Sequence, residues 1–191
     1  MGDLTFRALD PSTWPDLIEL FQTHDNPRSC WCQFWRLSVA EWKASDREAK
    51  RARLTDAVDR QQPLGVLAYR DGTAVGWCSV GPRQGHARVE RARSIPAAVA
   101  AHTWSVTCFF VRRGHRAQGL TEALLREAIA SARAKGARVV EGYPVIRPLR
   151  PDGTPIGAPF RFMGDPSIYR RAGFVDVAPS GQARRLMRLE L

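Results

Sequence analysis

The sequence predicts an α/β domain, and three observations carry that expectation. Strand-like and helix-like segments alternate along the 191 residues. Asp71-Gly72 separates two apolar runs, and that dipeptide tolerates the positive φ angles a tight hairpin demands. The runs TWSVTCFFV (103–111) and ARVVEGYPV (137–145) show little polar alternation, as strands covered on both faces do.

Taken in order, LTFRAL (4–9) reads as a short alternating strand. DPSTWPDLIELFQTH reads as a helix with Asp10 as its N-cap. NPRSCWCQFWRL (26–37) is an aromatic, turn-rich connector. Residues 38–61 read as one helix, with Ser38 and Glu41 spaced as a capping box. The hairpin spans 63–83, and 84–103 is a basic, helix-tolerant insertion ahead of the strand at 103–111. GLTEALLREAIASARAK (119–135) is an amphipathic helix ending at Gly136, a residue suited to the left-handed C′ position. With five prolines and three glycines, 146–166 is a long loop. DPSIYRRAGFVDVA reads as a short helix into a strand, and ARRLMRLEL closes the chain as another. No internal repeat is present, and 1–191 is expected to be one domain.

With 44% hydrophobic and 25% charged residues, the chain has the composition of a folded globular protein. No stretch is apolar enough for a membrane span, and MGDLTFRALD has no signal-peptide pattern, so a cytoplasmic location is expected. The net charge of +10 raises nucleic acid as a partner. Yet only Lys43, Lys50 and Lys135 are lysines among 29 basic residues, and the arginines are dispersed from Arg7 to Arg188. No specific nucleic-acid binding is expected. Cys30, Cys32, Cys78 and Cys108 match no structural zinc spacing, so no metal is expected and the thiols are read as reduced.

The chemistry concentrates in VRRGHRAQGLTEALL (111–125). A strand ends at Val111, Arg116 sits in the loop, and Gly119 opens a helix. Free amides and the positive end of the helix dipole make such a terminus an anion site. Gly119 lacks the Cβ that would hold a diphosphate away from the backbone. This stretch resembles the acetyl-CoA motif Arg/Gln-x-x-Gly-x-Gly/Ala of the GNAT superfamily of N-acetyltransferases, with Thr121 departing from the small final residue. IYRRAGF (168–174) is similar to the superfamily's Tyr-x-x-x-Gly-Phe signature. CWCQFW, EGYPV and YRRAGF together are similar to a bacterial branch of the superfamily.

The resemblance implies a single GNAT-like domain: a mixed sheet of six to seven strands with helices on both faces. It also implies acetyl transfer from acetyl-CoA, bound as co-substrate, to a primary amine attacking directly in a ternary complex. Phe110 and Val111 would meet the pantetheine between splayed strands. Arg116, Ala117, Gln118, Gly119, Leu120 and Thr121 would hold the pyrophosphate, flanked by Arg112 and Arg113.

Tyr169 matches the family's acid for the departing thiolate; packing under the sheet is its other reading. For the base two readings stand open. Glu141, a carboxylate inside an apolar run, is either catalytic or paired with an arginine. A base reached through water is the second route. Glu90 and the histidines at 86, 102 and 115 read as ordinary surface or loop groups. Trp31, Phe34 and Trp35 precede the second helix, where relatives line the acceptor site, and packing is their alternative. Phe160 and Phe162 lie in the long loop, which is placed to cover the acceptor. The expected acceptor is a small-molecule or peptide amine, and a homodimer is compatible. The competing reading is a non-catalytic CoA-binding or nucleic-acid-binding module that uses the basic loop 112–121.

Overall fold

A computed structural model describes residues 2–22, 25–92, 95–98, 100–145, 161–177 and 184–191. Seven strands form one sheet: β1 (Leu4–Ala8), β2 (Gly65–Arg70), β3 (Thr73–Pro82), β4 (Thr103–Val111), β5 (Val139–Gly142), β6 (Val175–Asp176) and β7 (Met187–Glu190). Their order is β1-β2-β3-β4-β5-β7-β6. β4 and β5 run parallel, and every other neighbouring pair is antiparallel. The hairpin turns at Asp71-Gly72, both with positive φ.

Among the described residues seven α-helices accompany the sheet: α1 (Trp14–Gln22), α2 (Asp25–Cys30), α3 (Val39–Ala44), α4 (Arg47–Asp59), α5 (Ala87–Glu90), α6 (Leu120–Ala134) and α7 (Pro166–Arg171). On one face, Leu120, Leu124, Leu125, Ala128, Ile129 and Ala132 of α6 pack on Val75, Val80, Val106 and Val111 of the sheet. Their recurrence every three or four residues is the apolar stripe read in the sequence. On the other face, Leu17, Leu20 and Phe21 of α1 join Leu54 and Val58 of α4 over Leu67 and Trp77.

Three local expectations need correction. Residues 38–61 form two helices, because Asp46 accepts from the Ala49 N–H at 2.7 Å and starts α4 anew. The connector at 26–37 includes α2. Asp10 caps a turn rather than the helix: its carboxylate accepts from the Ser12 and Thr13 amides, and α1 begins at Trp14. The capping box forms as read, with Glu41 N–H on Ser38 Oγ and Ser38 N–H on Glu41 Oε2. All four cysteines are free thiols. Among the described residues no helix is long and apolar enough to cross a membrane.

Candidate active site

β4 positions the site. Along β3 it is paired as far as Val111, but its pairing with β5 covers only Thr103↔Val139 to Val106↔Gly142. Past Val106, β4 therefore has no strand on its β5 side among the described residues. Thr107–Val111 border a wedge there.

The open end of that wedge leads into the 112–121 loop. Arg116 folds back so that its Nε donates to the Val111 carbonyl at 2.9 Å, and Gln118 Nε2 donates to Gly114 O at 3.2 Å. Gly119 is left-handed at φ +75°, and a Cβ there would find no atom within 4 Å. The loop is thus bare on that side. The N–H groups of Gly119, Leu120 and Thr121 carry no hydrogen bond among the described residues. They stand at the positive end of α6, whose 15 residues align their dipoles. Phe110 packs edge-on against Phe21, 6.1 Å between ring centres, and Arg112 reaches Glu19 at 3.7 Å. The loop can hold an anionic, phosphate-like group.

Tyr169 lies at the closed end of the wedge and is fully buried. Asp165 caps its helix with Pro166 at the first position, where a missing N–H costs nothing. The ring packs against Phe174 at 5.1 Å and Phe109 at 6.3 Å. Gly142 is a glycine for this reason, since a Cβ there would fall on the Tyr169 ring. The phenol donates to the Met163 carbonyl at 3.0 Å. Burial pushes its pKa well above the ordinary tyrosine value, so the group stays protonated.

Glu141 is buried in β5 and ion-paired. Arg83 Nη1 donates to Oε2 at 2.6 Å, and Arg188, its register partner on β7, donates to Oε1 at 2.9 Å. The Tyr143 hydroxyl adds a bond to Oε2 at 3.0 Å. Arg83 also contacts Glu90 and the Pro96 carbonyl. With both oxygens occupied by cationic donors, Glu141 has no free lone pair aimed at a reacting amine, and the geometry opposes the base role. His86 is also fully buried, not at the surface. Its Nδ1 faces the Pro82 carbonyl at 3.1 Å, and its pKa is driven well below the usual histidine value, by desolvation first and then by Arg36.

The aromatic residues separate. Trp31 is buried beneath the helices with Trp14 and Phe21, the packing alternative of its two readings. Trp35 instead lines a cleft of about 540 Å³. Phe34, Arg88, Arg91, Ile95 and Arg184 line it too. Phe162 stands behind Phe34, 6.2 Å between ring centres. Trp35 Nε1 donates to Met163 Sδ at 3.1 Å, so Met163 joins the cleft wall to the Tyr169 phenol. The three arginines were not picked out by the sequence; the basic character of 84–103 hinted at Arg88 and Arg91, and nothing there marked Arg184. Phe160 lies outside the described residues.

Residues 13–143 match the family model described as Acetyltransferase (GNAT) family. No curated protein shows significant sequence similarity to the chain. Among solved structures, the chain is similar to the PaiA N-acetyltransferase of Thermoplasma acidophilum in complex with coenzyme A. They share 17% identity over 99% of both chains, with a TM-score of 0.53. It is similar to the ribosomal-protein-alanine N-acetyltransferase of Brucella melitensis at 18% identity over 98% and 99%, TM-score 0.54. A GNAT family acetyltransferase of the same organism in complex with acetyl-CoA shares 13% identity over 100% and 90%, TM-score 0.51. At these identities the likeness is one of fold.

Proposed function

Since the chain belongs to the acetyltransferase (GNAT) family, we propose that it transfers the acetyl group of acetyl-CoA to a primary amine by direct attack in a ternary complex. The observation that carries this reading is the bare, left-handed Gly119 at the start of α6, directly beyond the unpaired edge of β4. A diphosphate needs close approach to several amides at once, and a residue without Cβ permits it at positive φ without strain. Coenzyme A in the Thermoplasma structure and acetyl-CoA in the Brucella structure support the choice of ligand.

In this reading the backbone of Phe110 and Val111 meets the pantetheine. Arg116, Ala117, Gln118, Gly119, Leu120 and Thr121 hold the pyrophosphate. The amine nitrogen attacks the thioester carbon, a C–N bond forms, and the C–S pair leaves with sulfur. Tyr169 gives its proton to that thiolate. A turn of the O–H about its own C–O bond redirects the proton from Met163 without moving the ring. The amine proton passes to water, since Glu141 is held by Arg83 and Arg188.

Thiol release from acetyl-CoA, measured across a panel of primary amines, tests the reading. Amine-dependent release of CoA is expected. A protein that binds acetyl-CoA and releases no thiol with any amine would be a binding module instead.

A further inference from the structure

The cleft beside Trp35 carries three guanidinium groups, from Arg88, Arg91 and Arg184, and among the described residues no aspartate or glutamate lines it. Arg88 lies over the face of Phe34 at 4.1 Å and 5.8 Å from the Trp42 ring. Arg184 lies over Trp35 at 4.6 Å. Neither Arg88 nor Arg91 forms an ion pair within 4.0 Å among the described residues. Arg83, five residues before Arg88, by contrast finds two carboxylates. A guanidinium kept against an aromatic face has lost part of its hydration, and among the described residues Nε and Nη2 of Arg88 are buried with no hydrogen-bond partner. An oxyanion entering the cleft supplies the missing charge. The volume suits a small molecule, and Ile95 with the aromatic rings suits an apolar body on it.

Building on the acetyl-transfer reading, we infer that this cleft receives the acceptor, and that the acceptor is a small primary amine carrying an oxyanion, a carboxylate or a phosphate. The guanidinium fork holds the oxyanion, leaving the amine to face the Met163–Tyr169 side of the wall. A cationic polyamine is repelled by the same three charges.

Matched pairs test this. Phenylalanine is compared with its amide, phosphoethanolamine with ethanolamine, and spermidine serves as the cationic control. Two readouts are used: thiol release, and calorimetric binding of each probe without acetyl-CoA. The oxyanion-bearing member of at least one pair is expected to bind about ten- to a hundredfold tighter than its partner without the oxyanion, the range for hydrogen bonds to charged groups. Which pair responds separates carboxylate from phosphate. Arg88→Gln and, as an exposed site whose change should not disturb folding, Arg91→Gln should each collapse that ratio while acetyl-CoA affinity is unchanged. Equal binding within both pairs, tighter binding of spermidine, or ratios untouched in both variants would overturn the inference. Calorimetric preference for the anion without thiol release would keep the anion site and sink the acetyl-transfer reading, so the two failures are told apart.

Discussion

Arg83 and Arg88 lie five residues apart in the same segment and meet opposite fates. Arg83 is sealed among Glu90, Glu141 and the Pro96 carbonyl, so its charge is consumed inside the protein. Arg88 rests on Phe34 and Trp42 and finds no carboxylate within 4.0 Å among the described residues. Burial of a charge is tolerated when partners and hydrogen bonds surround it. A partly desolvated charge without them marks a place where something else is bound. The two arginines thus stand on either side of a division between satisfied and unsatisfied polar groups.

Tyr169 tests the division hardest, because its phenol is satisfied by Met163 and is nevertheless assigned a reaction. Tyr169→Phe should lower kcat by ~10²–10⁴-fold with the KM for acetyl-CoA nearly unchanged, since the lost proton matters only as sulfur gains charge. Full turnover with a lowered Tm would return Tyr169 to the architecture.

Glu141 belongs with Arg83. Glu141→Ala leaves buried Arg83 with Glu90 alone, takes the carboxylate from half-buried Arg188, and should cost about 3–5 kcal/mol of stability, read by denaturant unfolding. Loss of activity with unchanged stability would revive it as a base.

His86 is buried with an unpartnered Nε2 among the described residues, yet no ligand path is implied, and pH separates it from a working group. Its folded pKa lies below the unfolded value near 6.5, so its contribution is present above pH 6.5 and lost as pH falls. Stability should drop by about 1.4 kcal/mol per pH unit below 6.5. His86→Asn, which keeps a donor for Pro82, should flatten that slope; an unchanged slope contradicts the assignment.

The smallest effect is expected for Arg88→Gln, about 1 kcal/mol of stability from the lost stacking. A loss as large as that of Glu141→Ala would erase the contrast.

Local chemistry was legible in the sequence, and partnership across the chain was not. The Asp71-Gly72 turn, the Ser38–Glu41 box and the stripe of α6 depend on neighbours a few residues away, and all three formed as read. The break at Asp46 was legible in principle, for Asp46 caps Ala49 by the same short-range rule. Glu141 was narrowed to catalytic or paired, but its partners stand 58 and 47 residues away, brought in by the fold. Trp31 and Trp35 are spaced as one helical face, yet Trp31 and Cys32 take φ of 46° and 53°, which breaks the phase. One ring drops into the core and the other faces the cleft. The cleft draws on residues near 35, 90 and 184, a juxtaposition no local pattern records.

The central claim is that the loop before α6 cradles acetyl-CoA, and calorimetry on Gly119→Val measures it most directly. The substitution puts a β-branched side chain at φ +75° in space that is otherwise empty. The account predicts acetyl-CoA binding by the unmodified protein and a severe loss in a variant whose circular dichroism is unchanged. Equal affinity in a folded variant would contradict it.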